Sequence, residues 1–295
     1  MPILKFPDNF KWGSATSAHQ IEGDNHNDWS EWEKSLARLD QLKKEGKDPA
    51  DFISGKACDS YNRYEEDFDI AKKLNQNIHR FSIEWSRIEP EEGKFNDKEI
   101  QHYINVVKAL RDRGIEPMIT LWHFTNPIWF TEKGGWLNPD APELFRRFIK
   151  VVVSALNDQV RLWITFNEAT DIYSSHAYFL HKFPPLHRNI LEWRRVNKNI
   201  IRAHICAYKE IKKLYNHSPV DLKSIEVEPQ RFTEVQPRGN PMSHNVEVGV
   251  AVRNTWSVGG KNFYENMIGK IYNYYRNLYF WIKAFPYYDF MGLNY

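Results

Sequence analysis

Short apolar runs alternate along the chain with longer segments that carry apolar residues at helical spacing. Six runs have the length and composition of β-strands, namely residues 10–16, 78–83, 115–121, 161–166, 246–252 and 290–294. The helical pattern occupies residues 61–74, 97–113, 143–156 and 191–215. Strands that are separated by helices pair in parallel, so the alternation predicts an α/β fold built from βα units.

Composition restricts the kind of protein. Of 295 residues 42% are hydrophobic, which is enough for one sizeable core. The 40 basic and 38 acidic side chains give a net charge of +2, so no strong field would recruit nucleic acid or an acidic membrane. The two cysteines, Cys58 and Cys206, are expected to be reduced thiols. Without a signal peptide or a long apolar run, the sequence predicts a cytoplasmic protein.

Three segments fit the βα pattern poorly. Residues 38–51 are charged and weakly periodic, and residues 218–245 are polar with four prolines, so both are predicted to be loops or irregular excursions. Residues 264–285 carry aromatic and apolar side chains at helical spacing, which predicts a packed helix. No repeat or linker interrupts the chain, so residues 1–295 are expected to form a single domain.

Polar side chains follow several of the predicted strands. The run at 161–166 continues into Asn167 and Glu168, and the run at 115–121 continues into Trp122 and His123. Because the carboxyl ends of parallel strands meet at one edge, these side chains should line a common site, where Glu168 could transfer a proton. Each residue taken alone also has an ordinary structural explanation, such as a capping residue or a core histidine.

Two further residues belong to this expected site. Gln20 follows the first strand, and Arg80 lies within the second. Neutral hydrogen-bonding groups beside indole faces suit a sugar, which has hydroxyls around its rim and apolar C–H faces. Arg80 should have a carboxylate partner, because an unpaired guanidinium in a dry core is costly.

Six sequence blocks carry a family resemblance in the same order. They are FKWGSATSAHQIEG at 10–23, RFSIEWSRIEP at 80–90, TLWHFTNPIWF at 120–130, GGWLNPD at 134–140, TFNEA at 165–169 and DFMGLNY at 289–295. Together they resemble glycoside hydrolase family 1, the β-glucosidase and β-galactosidase family. The resemblance implies a (β/α)8 TIM barrel and a retaining mechanism on small glycosides or oligosaccharides, with no metal or cofactor.

The resemblance also implies roles for single residues. Glu168 would be the acid/base, Asn167 would bind the sugar 2-hydroxyl, and Gln20 and His123 would bind other hydroxyls. Three residues would support the site, with Arg80 and Tyr295 flanking the nucleophile and Trp122 forming part of the wall. The chain departs from the family pattern at Ala169, where a proline usually follows the glutamate.

The sequence lacks the second carboxylate, the nucleophile, that the implied retaining mechanism requires. The family takes its nucleophile from a Thr/Ser-Glu-Asn-Gly block on the seventh strand, whereas this sequence ends on the sixth. Glu84, Glu226 and Glu228 are poor substitutes by context. We therefore expect an incomplete TIM barrel of about six βα units, with the last two missing, and impaired activity.

An incomplete barrel leaves two open sheet edges. The chain could be a piece of a longer enzyme, be completed by a second polypeptide, or associate with copies of itself. A noncatalytic carbohydrate-binding or assembly protein is the alternative function, and a fragment without any pocket is a third interpretation. The choice among glucosides, galactosides and 6-phospho-glycosides stays open.

Overall fold

The computed structural model describes residues 5–216, 246–253, 267, 269, 270, 273, 274 and 278–294. In this part of the chain six strands form one parallel sheet in sequence order. They are β1 (Gly13–Ala15), β2 (Ile78–Ser82), β3 (Glu116–Trp122), β4 (Leu162–Asn167), β5 (Glu247–Val252) and β6 (Phe290–Leu293). Each strand coincides with one of the predicted runs, so the predicted βα alternation is confirmed.

Eleven α-helices are found in the described residues. They are α1 (Ala18–Ile21), α2 (Asp28–Lys34), α3 (Leu36–Lys44), α4 (Ser60–Lys73), α5 (Trp85–Ile88), α6 (Asp97–Asp112), α7 (Ile128–Glu132), α8 (Ala141–Leu156), α9 (Ser174–Tyr178), α10 (Ile190–Asn216) and α11 (Tyr279–Ala284). Short 3-10 turns occur at Pro49–Phe52 and Gly135–Leu137, and a π-helical turn at Ala169–Tyr173. The four predicted long helices correspond to α4, α6, α8 and α10.

The prediction of a loop at residues 38–51 is wrong. Helix α3 and the 3-10 turn Pro49–Phe52 occupy most of this segment. Ser35 caps α3 by accepting the Arg38 N–H, and the Gln41 amide donates to Glu45 one turn later at 2.9 Å. Leucines recur at positions 36, 39 and 42, but only Leu42 is buried, so the apolar pattern is too short and weak to indicate a helix.

Two other predicted segments have a different outcome. The excursion at 218–245 lies outside the described residues, as does most of the segment at 264–285. Within the latter, α11 is helical and buries Phe280 and Ala284. No helix in the described ranges is long and apolar enough to cross a membrane.

The core lies between the sheet and the long helices. Helix α8 buries Phe145, Phe148 and Val152 along one face, at the spacing expected of an amphipathic helix. Phe145 packs on Phe166 of β4 with ring centroids 4.8 Å apart, and Trp136 packs on both rings. This aromatic cluster anchors β4, the strand that leads to Glu168.

The sheet is strongly curled. Arg80 on β2 donates a hydrogen bond from Nη1 to Oδ1 of Asn294, the residue after β6, at 3.4 Å. Four strand spacings separate β2 from β6, which in a flat sheet would be about 19 Å. Side chains from these strands can meet only if the sheet bends towards closure, so the described strands form an incomplete (β/α)8 barrel.

Candidate active site

Glu168 occupies a constrained backbone position at the end of β4. Its φ of +46° and ψ of +37° lie in the left-handed region, which residues other than glycine adopt at some cost. The Glu168 N–H donates to the Ala251 carbonyl of β5 at 2.7 Å. The Glu168 carbonyl accepts from the N–H groups of Ile172 and Tyr173, which closes the π-helical turn. The site carboxylate is therefore held by backbone bonds on both sides.

A polar network surrounds this carboxylate. Asn167 Oδ1 accepts from Arg80 Nη2 at 2.5 Å and from Asn294 Nδ2 at 3.0 Å. Asn294 Nδ2 also donates to Glu168 Oε1 at 2.7 Å, and Arg80 Nε donates to Thr120 Oγ1 at 2.9 Å. The structure thus brings together three predicted residues, Arg80, Asn167 and Glu168, with two that the sequence reading did not assign, Thr120 and Asn294.

Arg80 does not have the expected carboxylate as a hydrogen-bond partner. Within the described residues its three acceptors are one hydroxyl oxygen and two amide oxygens. Burial lowers the pKa of Arg80 to about 10, although the nearby charge of Glu168 acts in the opposite direction. The guanidinium stays charged at neutral pH and remains available to orient an anion in the site.

Of the three carboxylates considered as substitute nucleophiles, the described residues include only Glu84. Glu84 is buried, and it accepts hydrogen bonds from the hydroxyls of Ser86 and Thr125 rather than from Arg80. Glu226 and Glu228 lie outside the described residues, as does Tyr295. The described part of the chain therefore supplies one carboxylate to the polar network, which is Glu168.

His123 follows β3 and keeps an unused polar atom. Its Nδ1 is buried and has no hydrogen-bond partner in the part of the chain that is described. Burial lowers the pKa of His123 to about 3, and the positive charge of Arg80 lowers it further. The ring is therefore neutral at physiological pH.

The other two predicted site residues have different surroundings. Gln20 lies exposed on α1, where its Oε1 accepts from the Ser17 hydroxyl at 2.7 Å, so its described contact is local. Trp122 is buried, and its indole N–H donates to Asn126 at 3.0 Å. Asn126 in turn donates to both carboxylate oxygens of buried Asp28. Trp122 is consequently held in place through Asn126 and Asp28.

Asp171 is a further buried carboxyl near Glu168 that the sequence reading missed. Burial is the main cause that raises the pKa of Asp171 to about 7, and the charge of Glu168 contributes, whereas the Arg253 N–H lowers it. No signal in the sequence distinguishes Asp171 from a surface residue of the helix that follows. The described residues contain no cluster of acidic, histidine or cysteine side chains that could hold a metal ion.

Comparison with known proteins connects this geometry to a family. The model of glycosyl hydrolase family 1 matches residues 4–273. β-Glucosidase A of Thermotoga maritima is 36% identical over 214 residues, which covers 71% of this chain and 46% of that protein. The chain therefore spans about half the length of the curated relatives it matches.

Solved structures give the same relationship. A β-glycosidase from Pyrococcus horikoshii superposes with a TM-score of 0.77 and 29% identity, over 100% of this chain and 63% of that one. A β-glucosidase from Thermotoga maritima in complex with deoxynojirimycin superposes with a TM-score of 0.72 and 27% identity, over 92% of this chain and 55% of that one. These similarities confirm the incomplete TIM-barrel architecture.

Proposed function

The chain belongs to glycosyl hydrolase family 1, and from this membership we propose that it carries the proton-transferring half of a retaining β-glycosidase site. The substrates would be terminal β-linked sugars, and Glu168 would be the acid/base residue. The observation that carries the proposal is the position of Glu168, held at the carboxyl end of β4 with Oε1 bonded to Asn294 at 2.7 Å.

Glu168 would act twice in each reaction cycle. As an acid it would protonate the glycosidic oxygen while the bond to the anomeric carbon breaks, and as a base it would then take a proton from the attacking water. Asn294 donates to Oε1, and Oε2 has no protein hydrogen bond in the described ranges. This leaves one carboxyl oxygen available for the proton transfer.

Three neutral groups would hold the sugar. Asn167 uses its Oδ1 for Arg80 and Asn294, which leaves its amide NH2 to donate to the 2-hydroxyl. The neutral His123 ring and the exposed amide of Gln20 would bind other hydroxyls. Trp122 would supply an apolar wall, which suits the C–H face of a pyranose.

A retaining mechanism needs a second carboxylate about 5–5.5 Å from the first. None of the described hydrogen-bond partners of Arg80 is a carboxylate. We therefore propose that the nucleophile lies outside this chain and that the chain alone turns over slowly in water. The rest of a longer chain, a second polypeptide or another copy would cover the edges that β1 and β6 leave open among the described residues.

The test supplies the missing nucleophile as azide. Azide would attack the anomeric carbon, the C–O bond to the leaving group would break, and Glu168 would protonate the departing oxygen. Phenyl β-glucoside needs this proton, whereas dinitrophenyl β-glucoside does not. We expect azide to accelerate both substrates and Glu168→Gln to slow only the phenyl glucoside, by about 10²–10⁴-fold.

The outcomes separate the candidate functions. Rapid hydrolysis without azide that is abolished by Glu168→Gln would contradict the missing nucleophile. If azide has no effect, and the wild-type and Glu168→Gln proteins bind deoxynojirimycin equally well, the noncatalytic carbohydrate-binding function is correct. The absence of a described carboxylate beside Arg80 is the observation that favours this alternative.

Both cysteines are free, which supports a reducing, cytoplasmic location.

A further inference from the structure

Asp171 is a deeply buried carboxyl whose two oxygens have different surroundings. The residue is 1% exposed. Its Oδ2 accepts a hydrogen bond from the Arg253 N–H. No donor of the described residues meets Oδ1 with hydrogen-bond geometry, although the nearby N–H groups of Asp171 and Ile172 lower the pKa of the carboxyl. A buried carboxyl with an unsatisfied oxygen costs free energy, so its retention at this position requires a compensating interaction.

The compensating interaction joins two neighbouring parts of the sheet. Arg253 is the residue directly after β5, and Asp171 lies in the π-helical turn directly after Glu168. The Glu168 N–H already donates to Ala251 of β5 at 2.7 Å. The segment that carries Glu168 is therefore attached to the end of β5 twice, once through backbone and once through the Asp171 side chain.

This double attachment lies at an irregular place in the sheet. The register of β4 against β5 shifts between Ile164 and Asn167, immediately before Glu168. Glu168 then adopts its left-handed conformation, which has to be imposed by surrounding bonds. Ala169 allows more backbone freedom than a proline would in the same place. A side-chain bond from Asp171 to β5 restricts the freedom that Ala169 leaves.

We propose that Asp171 is a positioning residue for Glu168. Its Oδ2 holds the turn after Glu168 against the end of β5, and this fixes the direction of the Glu168 carboxyl. The bond requires one acceptor oxygen and no charge, so asparagine can replace aspartate in this role. The positioning itself follows from the contacts, while its consequence for catalysis rests on the proposed function of Glu168.

The first experiment measures, without any substrate, how firmly the turn after Glu168 is held against the end of β5. Asp171→Ala should raise hydrogen–deuterium exchange in the peptide carrying Glu168 and in the peptide carrying Arg253 by roughly tenfold, because a hydrogen bond is lost. Asp171→Asn should exchange like the wild type. Glu89→Ala is the matched control, since Glu89 is also buried and accepts a backbone N–H, from Gly93 at 2.8 Å. Equal exchange in the Asp171→Ala and Glu89→Ala proteins would overturn the inference.

The second experiment measures the consequence for Glu168. With azide present, Asp171→Ala should slow phenyl β-glucoside about tenfold or more while sparing dinitrophenyl β-glucoside, and Asp171→Asn should restore the rate. A purely structural defect would slow both substrates together and would overturn the positioning role. If Glu168→Gln itself shows no difference between the substrates while the exchange result holds, the proposed function fails and the attachment stands.

Discussion

The central strands and the edge strands of the sheet differ sharply in burial. Trp163 and Phe166 of β4 are fully buried, whereas Met291 and Leu293 of β6 are 47% and 51% exposed, and all three residues of β1 are exposed. In the described residues β1 and β6 each pair with one neighbour only. The central strands thus lie in a fully buried core. The edge strands expose apolar side chains of the kind that a neighbouring segment of protein usually covers.

The site depends on both regions. Arg80, Thr120 and Asn167 belong to β2, β3 and β4, whereas Asn294 follows the edge strand β6 and bonds to the Arg80 guanidinium, Asn167 and Glu168. The position of the edge strand therefore influences the carboxylate that the central strands present. A partner that covers β6 would act on Glu168 through Asn294.

The largest expected effect tests whether β4, which is more deeply buried than β6, also contributes more to the free energy of unfolding. Phe166→Ala should lower the free energy of unfolding by about 3–5 kcal/mol, because it empties a packed aromatic site. Met291→Ala should cost less than about 1.5 kcal/mol, because half of that side chain already contacts solvent. Urea denaturation measures both. Equal losses would show that β6 is as well packed as β4.

Much of this fold could be predicted from the sequence. The six strands and four long helices leave strong periodic patterns, since each must bury an apolar face. Helix α3 was missed because it buries one residue and is held by a cap and side-chain pairs. The sequence also located Asn167 and Glu168 at a strand end, where the parallel topology directs side chains into a site.

Asn294 and Asp171 could not be assigned in the same way. Asn294 reaches Arg80 only because the sheet curls, and the curl is a property of all six strands together. Asp171 meets the Arg253 N–H across 82 residues of sequence, a contact that exists only in the folded sheet. The pairing of Arg80 with amides also depends on these long-range contacts, and residue chemistry alone suggested a carboxylate.

The next prediction tests whether Asn294, which follows the edge strand β6, orients Asn167 and Glu168 at the end of the central strand β4. Asn294→Ala should weaken deoxynojirimycin binding about tenfold, because Asn167 and Glu168 both lose a donor that orients them. Asn189→Ala is the control, since Asn189 accepts from the Leu191 N–H at 2.9 Å at the start of α10. Both variants should lose about 1 kcal/mol of stability. Calorimetry should find weaker deoxynojirimycin binding for Asn294→Ala and unchanged binding for Asn189→Ala. Equal affinities of the two variants would show that the residue after β6 does not contribute to the site.

The smallest effect contrasts a buried carboxyl, Asp28, with an exposed one, Asp8, which precedes the edge strand β1. Burial raises the pKa of Asp28 to about 7, although bonds from Asn126 oppose the shift. The protonated form is favoured in the folded state, so this contribution to stability is complete below the unfolded pKa and is lost as pH rises through about 7. Glu22 and Asp171, also with pKa values raised to about 7, act in the same direction.

Asp28→Asn should therefore reduce the loss of stability between about pH 4 and about pH 7 by on the order of 1 kcal/mol. The effect is partial, because Glu22 and Asp171 still titrate in the same window. Asp8→Asn, at an exposed pair with Lys5 close to β1, should leave the pH dependence unchanged. Urea midpoints across this range measure both variants. If the Asp28→Asn curve coincides with that of the wild type, the Asp28 carboxyl is already ionised in the folded protein, and the electrostatic difference between the buried and the exposed carboxyl disappears.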